Sequence, residues 1–261
     1  RPDGKFSLVS HLFPETLIML KRRQVLLAAG ASISSLPFPA FAQTAGSSLK
    51  GTPIENTKLT HLTDQRDAPV VFYTPKVDPQ AVLEIFKAVG LPVQGKVGLK
   101  VVFGNNRDRA KMIDPDLLKP IADELRATLI ESNYMDSARS DATTHLSTAK
   151  ELGYDRVAPI DILDADREIV IPVRNGYHLK EFITGSHLAN YDTLVSIVRF
   201  KGHNLQRYGG SMKNLSICLG TARGACQIHS AGEVTDYYHP SSPKETSESM
   251  ADAVSAALDY K

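Results

Sequence analysis

Tryptophan is missing from this chain of 261 residues, and Phe and Tyr number only nine each. That is too little aromatic surface for a carbohydrate platform or for stacking single-stranded nucleic acid. Cysteine is scarce as well, with Cys218 and Cys226 the only two. Two thiols cannot build a disulfide scaffold. Nor can they alone supply the four thiolates of a usual iron–sulfur cluster, so none is expected from this chain alone. Their spacing does not fit a Cys-x-x-Cys redox or zinc motif. One small disulfide between Cys218 and Cys226, or two buried thiols, is favoured over metal ligation. No sign of charge prevails: 30 Lys and Arg against 29 Asp and Glu leave a net charge of +1. That balance argues against a nucleic-acid binder held by a general basic field, and no nucleic-acid partner is expected. Past the N-terminal region no apolar run is long enough to span a bilayer. Also missing are a Gly-x-Ser-x-Gly elbow, a Walker loop and a Rossmann glycine fingerprint.

What is present begins with an export signature. Arg22 and Arg23 stand ahead of a modestly apolar segment, residues 25–38, softened by Ala, Gly and Ser. Ala40 and Ala42 then give the small-x-small pattern that a signal peptidase needs. Paired arginines before a weakly apolar core resemble a twin-arginine signal, which carries folded proteins, often with a cofactor inserted. The expectation is a periplasmic or otherwise exported protein with no stable membrane span after cleavage. Met19, just before the basic head, is the expected initiator, with residues 1–18 as upstream sequence. Residues 43–68 are polar and aperiodic and read as a linker.

From residue 69 onward the chain reads as one α/β domain. Residues 70–73 are a short apolar run, read as a buried strand. Asp78-Pro79 opens a helix that Gly90 ends, with Val82, Ile85, Phe86 and Val89 on one face. The cycle repeats: a strand at 97–103, a helix opened by Asp114-Pro115, a strand at 127–130 and a helix over about 140–152. Strand, loop and helix in turn predict a three-layer α/β fold with a mostly parallel sheet and helical crossovers. Residues 168–173 and 177–183 flank Asn175-Gly176, which predicts one antiparallel hairpin excursion. A strongly apolar strand at 193–200 and a terminal helix at 246–258 complete the reading.

Ligands in open α/β sheets sit beyond the carboxyl ends of the strands. Three loops lie there by sequence, at residues 104–109, 131–139 and from 201 onward. The third is the richest. Lys201, Gly202, His203, Gly209, Gly210, Lys213, Asn214, Arg223 and His229 set protonatable groups among glycines, which let backbone approach a ligand. Cations and free amides favour an anion. His203 offers proton transfer or metal ligation. In the second loop Glu131 is a candidate base or ligand, and Glu131, Asp136 and His203 together form a weak metal candidate. His145, mid-helix, reads as a packed or surface histidine.

Phe200-Lys201-Gly202-His203, Tyr208-Gly209-Gly210-Ser211-Met212-Lys213-Asn214-Leu215, then Arg223-Gly224 and His229 closely resemble the signature of the family catalogued as domain of unknown function 362. Lys100-Val101-Val102-Phe103-Gly104, Asp114-Pro115, Asn133-Tyr134 and Arg139 are similar to it too. The resemblance covers residues 69–261. It implies an α/β fold and an iron–sulfur-associated family without an established activity, some of whose members carry twin-arginine signals. Two departures stand out. Gly224-Ala225-Cys226 replaces a Gly-Lys of the family, and members usually run on past this point, so the domain is expected to be truncated on its C-terminal side. The resulting expectation is an exported protein that binds a small anionic ligand or cofactor, redox-linked or metal-assisted, with a redox partner. The alternatives are a non-catalytic periplasmic anion- or metal-binding protein and an assembly factor for a cofactor protein.

Overall fold

Aspartates and prolines start the helices where their chemistry dictates. Asp78 accepts a hydrogen bond from the amide of Ala81 and Pro79 fits the first turn, so α1 runs Pro79–Val89 and stops at Gly90, whose φ is 65°. Asp114 and Pro115 open α2, Pro115–Leu125, in the same way. Asp141 caps α3, Ala142–Glu151. The computed structural model describes the backbone of residues 25–30 and, save the side chain of Arg207, residues 71–104, 112–203 and 207–260 in full. Met19, Arg22, Arg23, Ala40, Ala42, the linker at 43–68 and most of the loop at 104–109 lie outside the described residues.

The strands are β1 (Val25–Gly30), β2 (Val97–Lys100), β3 (Thr128–Glu131), β4 (Ile160–Ile162), β5 (Glu168–Pro172), β6 (Glu181–Gly185), β7 (Thr193–Arg199), β8 (Lys201–His203) and β9 (Arg207–Gly209). Three further helices follow: α4 (Ser211–Leu215), α5 (Ala222–His229) and α6 (Pro243–Tyr260). The main sheet is parallel, in the order β1-β7-β2-β3-β4. Antiparallel pairs β5-β6 and β8-β9 stand apart from it.

Strand alternation divides the core in two. Leu129, Val195 and Ile197 face a cluster with Phe86, Leu118, Ile121 and Ala149 from α1 to α3. Ile130 and Leu194 face the opposite cluster, with Phe182, Ala225, Ile228, Met250 and Ala253. Helices thus cover one face and the β5-β6 hairpin with α5 and α6 covers the other, which is the expected three-layer α/β architecture. The helix α5 presses hard on the hairpin: a Cβ added at Gly224 would fall 2.1 Å from the carbonyl oxygen of Ile183.

Several local expectations change. Residues 71–73 form no strand; Val71 and Phe72 pack half-buried on the first cluster instead. The hairpin's second strand begins at Glu181, not residue 177. The cause is Asp252 of α6, whose carboxylate accepts from the amides of Tyr177, His178 and Leu179 at 2.9, 2.8 and 2.9 Å. Those amides are thereby lost to any ladder. The Gly-rich stretch past residue 200, read as loop, holds β8, β9, α4 and α5.

Candidate functional site

The strands β2, β3 and β7 point their carboxyl ends the same way, and buried polar groups gather there. Lys100, the last residue of β2, is wholly buried. Its Nζ donates to the carbonyl of Val101 at 2.8 Å and to Oδ1 of Asn214 at 3.0 Å. Asn214 of α4 in turn donates to the carbonyl of Lys100 at 3.0 Å and to Oγ of Ser196 at 2.8 Å. One amide therefore ties the short helix α4 to two adjacent strands. Burial pulls the Lys100 ammonium below its ordinary range, while Glu131 and Cys218 work in the other direction.

Glu131 ends β3 and is also buried. Its carboxylate accepts from the amide of Phe103 at 2.6 Å and from Nη1 of Arg139 at 3.0 Å, and its Oε2 lies 3.3 Å from Nε2 of His145. Burial alone would raise its pKa. The bond to His145 and the charges of Arg139 and Lys100 outweigh that and hold it down at about 2. Arg139 also pairs with Asp136 and rests over the ring of Tyr134, 4.9 Å from its centroid. Glu131 is thus spent on internal partners, so a role as general base near neutral pH does not fit. His145 is part of this buried knot and not a surface group, since its Nδ1 lies 3.3 Å from Oδ1 of Asn133.

Beside this network lies a cavity of about 110 Å³. Arg139, Arg199, Lys201 and Lys213 contribute cationic side chains to its wall. Gly209, Gly210 and Asn214 give backbone and amide, Tyr134 and Cys218 a phenol and a thiol. Val102, Ile113 and Val198 form an apolar side. A Cβ at Gly209 would meet the side chain of Lys201 at 3.6 Å, an ordinary contact. Crowding within the fold therefore does not require glycine there.

Of the residues singled out by sequence, Lys201, Gly209, Gly210, Lys213 and Asn214 come together on this cavity. Gly202 and His203 share β8 with Lys201. Burial, Lys213 and Lys201 lower the pKa of His203. His229, the last residue of α5, is 3% exposed and its Nδ1 has no hydrogen-bond partner among the described residues. Burial, Lys213 and His203 press its pKa down to about 4, so it is neutral near pH 7. Tyr238 lies edge-on to it, 4.9 Å between centroids.

Arg223 does not line the cavity; it pairs with Glu168 at 2.8 Å on an exposed surface. Cys218 and Cys226 are free thiols, the first half-buried and the second buried. Cys218 lines the cavity, whereas Cys226 Sγ lies 3.1 Å from Sδ of Met135. Glu131 and Asp136 meet on Arg139, not with His203, and no group of three metal-ligating side chains occurs among the described residues.

Sequence reading did not assign Lys100, Arg199 or Cys218 to the anion site. The available signal was position: Lys100 and Arg199 terminate parallel strands. A family model described as domain of unknown function (DUF362) matches residues 97–260. No curated protein and no solved structure matches the chain.

Proposed function

The chain belongs to the DUF362 family, and on that premise we propose that the cavity beyond β7 and β2 binds a small anionic ligand. The observation that carries this reading is the convergence of Arg139, Arg199, Lys201 and Lys213 on one small cavity floored by Gly209 and Gly210. Arg139 is offset by Glu131 and Asp136, so its role is to hold the wall in place. Lys213 belongs to α4, which Asn214 anchors to the sheet, and its ammonium is delivered from a fixed support. A glycine that the fold itself does not require, Gly209, fits a backbone kept bare for a ligand. His203 is not among the residues lining the cavity, but it shares β8 with Lys201 and its neutral form is favoured, which suits it to accept a proton.

Titration calorimetry with inorganic phosphate at low ionic strength tests the reading. Lys213→Gln is expected to weaken phosphate binding about tenfold, the equivalent of about 1.4 kcal/mol. Binding also falls as salt rises, because the contact is charge-driven. Absence of phosphate, sulfate or acetate binding at millimolar concentration refutes the proposal. Turnover of a bound ester that is lost in His203→Ala, with phosphate affinity retained, separates an enzyme from a binding protein.

Export is a second proposal, supported by Arg22, Arg23, Ala40 and Ala42, and cleavage after Ala42 would remove the edge strand β1 from beside β7. Replacing both arginines by lysine is expected to leave the protein uncleaved in the cytoplasm. Unchanged export of that variant overturns the twin-arginine route. Among the described residues no helix is long and apolar enough to cross a membrane.

A further inference from the structure

We infer that the ligand of this cavity is an organic anion, with a phosphate or carboxylate head joined directly to a compact apolar body. The inference rests on the anion reading above and adds a substrate class to it. Its basis is the uneven wall. Arg199, Lys201 and Lys213 supply one kind of surface, and Val102, Ile113 and Val198 supply another, within a single cavity of about 110 Å³. An inorganic anion keeps its remaining oxygens hydrated and gains nothing from Val or Ile.

Three further observations agree. Val102 and Ile113 follow or flank core positions, yet both keep partial exposure, while Val101 and Phe103 beside Val102 are fully buried. Their open surface is turned to the cavity they line. Burial keeps the Tyr134 phenol protonated far above neutral pH, so this ring adds a flat uncharged wall and no competing negative charge. The Lys100 ammonium is sealed by Val101 and Asn214, leaving the apolar side free of a buried charge that would demand water. A head bound at Lys213 with a body against Val102 and Ile113 therefore removes apolar surface from water on both partners.

The test compares phenyl phosphate with inorganic phosphate, and benzoate with acetate, on the full chain by titration calorimetry. The expected result is about tenfold tighter binding of the aryl member in at least one pair. Which pair responds identifies the head. Val102→Thr, nearly isosteric, is expected to remove at least half of that gain, read as the ratio of phenyl phosphate to inorganic phosphate affinity. Lys213→Gln weakens both members of the responding pair alike. Ile113→Thr serves as the second variant should Val102→Thr fail to fold. Phosphate binding without any aryl gain in either pair overturns this inference and leaves the anion reading standing. Loss of binding by all four probes overturns both. Equal weakening of phenyl phosphate and inorganic phosphate by Val102→Thr also overturns it, since the apolar wall would then act only through the fold.

Discussion

At the level of single residues, Glu131 carries the most structural responsibility. It joins β3 to the chain after β2 through Phe103, and it holds Arg139 and His145. Removing one partner from a buried charge pair costs about 3 kcal/mol or more. Glu131→Gln is therefore expected to lower unfolding free energy by about 3 kcal/mol, read from urea denaturation at pH 7. Acid acts through the same atoms. The folded pKa of Glu131, about 2, lies below its ordinary 4.5. The unfolded chain then takes up a proton first, and stability falls as pH drops from about 4.5 towards 2. His229 adds an earlier loss: its folded pKa of about 4 lies below 6.5, so stability declines as pH drops from about 6.5 to 4. Urea midpoints from pH 7 down to 3 should fall throughout, and His229→Asn should flatten the upper part of the curve. Glu131 shows how a sequence can name the right residue for the wrong work: a carboxylate at a strand end looks available until its three partners are seen.

Individual elements were legible where one local rule acts alone. The helices α1 and α2 follow from Asp caps, Pro in the first turn and an apolar stripe, α3 from its Asp cap, and each lies close to its expected place. The strand β4 was not legible, because three residues carry no periodicity. The hairpin was legible only in part, since Asn175-Gly176 announces a turn but says nothing of Asp252, far along the chain. One helix end also departs from the local rule. Arg126 closes α2 with φ at 47°, a left-handed conformation that a side chain disfavours. Its side chain is exposed, so Arg126→Gly is expected to stabilise the fold by about 0.5–1 kcal/mol, seen as a higher midpoint in thermal unfolding.

Taken whole, the fold places α6 and the hairpin on one face of the sheet and α1 to α3 on the other. The α/β class was legible from the strand and helix alternation, since that pattern has few solutions. The cavity was legible only as a list of residues. Its walls come from β7, β8, β9, α4, the loop after β3 and the residues just after β2 and just before α2, and their meeting is a property of the sheet's topology. At this scale Asp252 is the decisive side chain, since one carboxylate binds three amides of the hairpin turn. Charge-assisted bonds of this kind are worth about 1.5–3 kcal/mol. Asp252→Asn is expected to cost about 2 kcal/mol and to speed hydrogen exchange at Tyr177, His178 and Leu179, an effect that amide exchange measurements check residue by residue.

That clasp has a temporal side. The acceptor lies 73 to 75 positions downstream of the amides it serves. At ribosomal speeds of about 5–20 residues per second, the turn waits roughly 4 to 15 seconds for its lock. During that interval a nascent chain carries three bare donors and an unsettled ribbon. Any machinery that demands a finished molecule must let translation proceed past Asp252 before it commits.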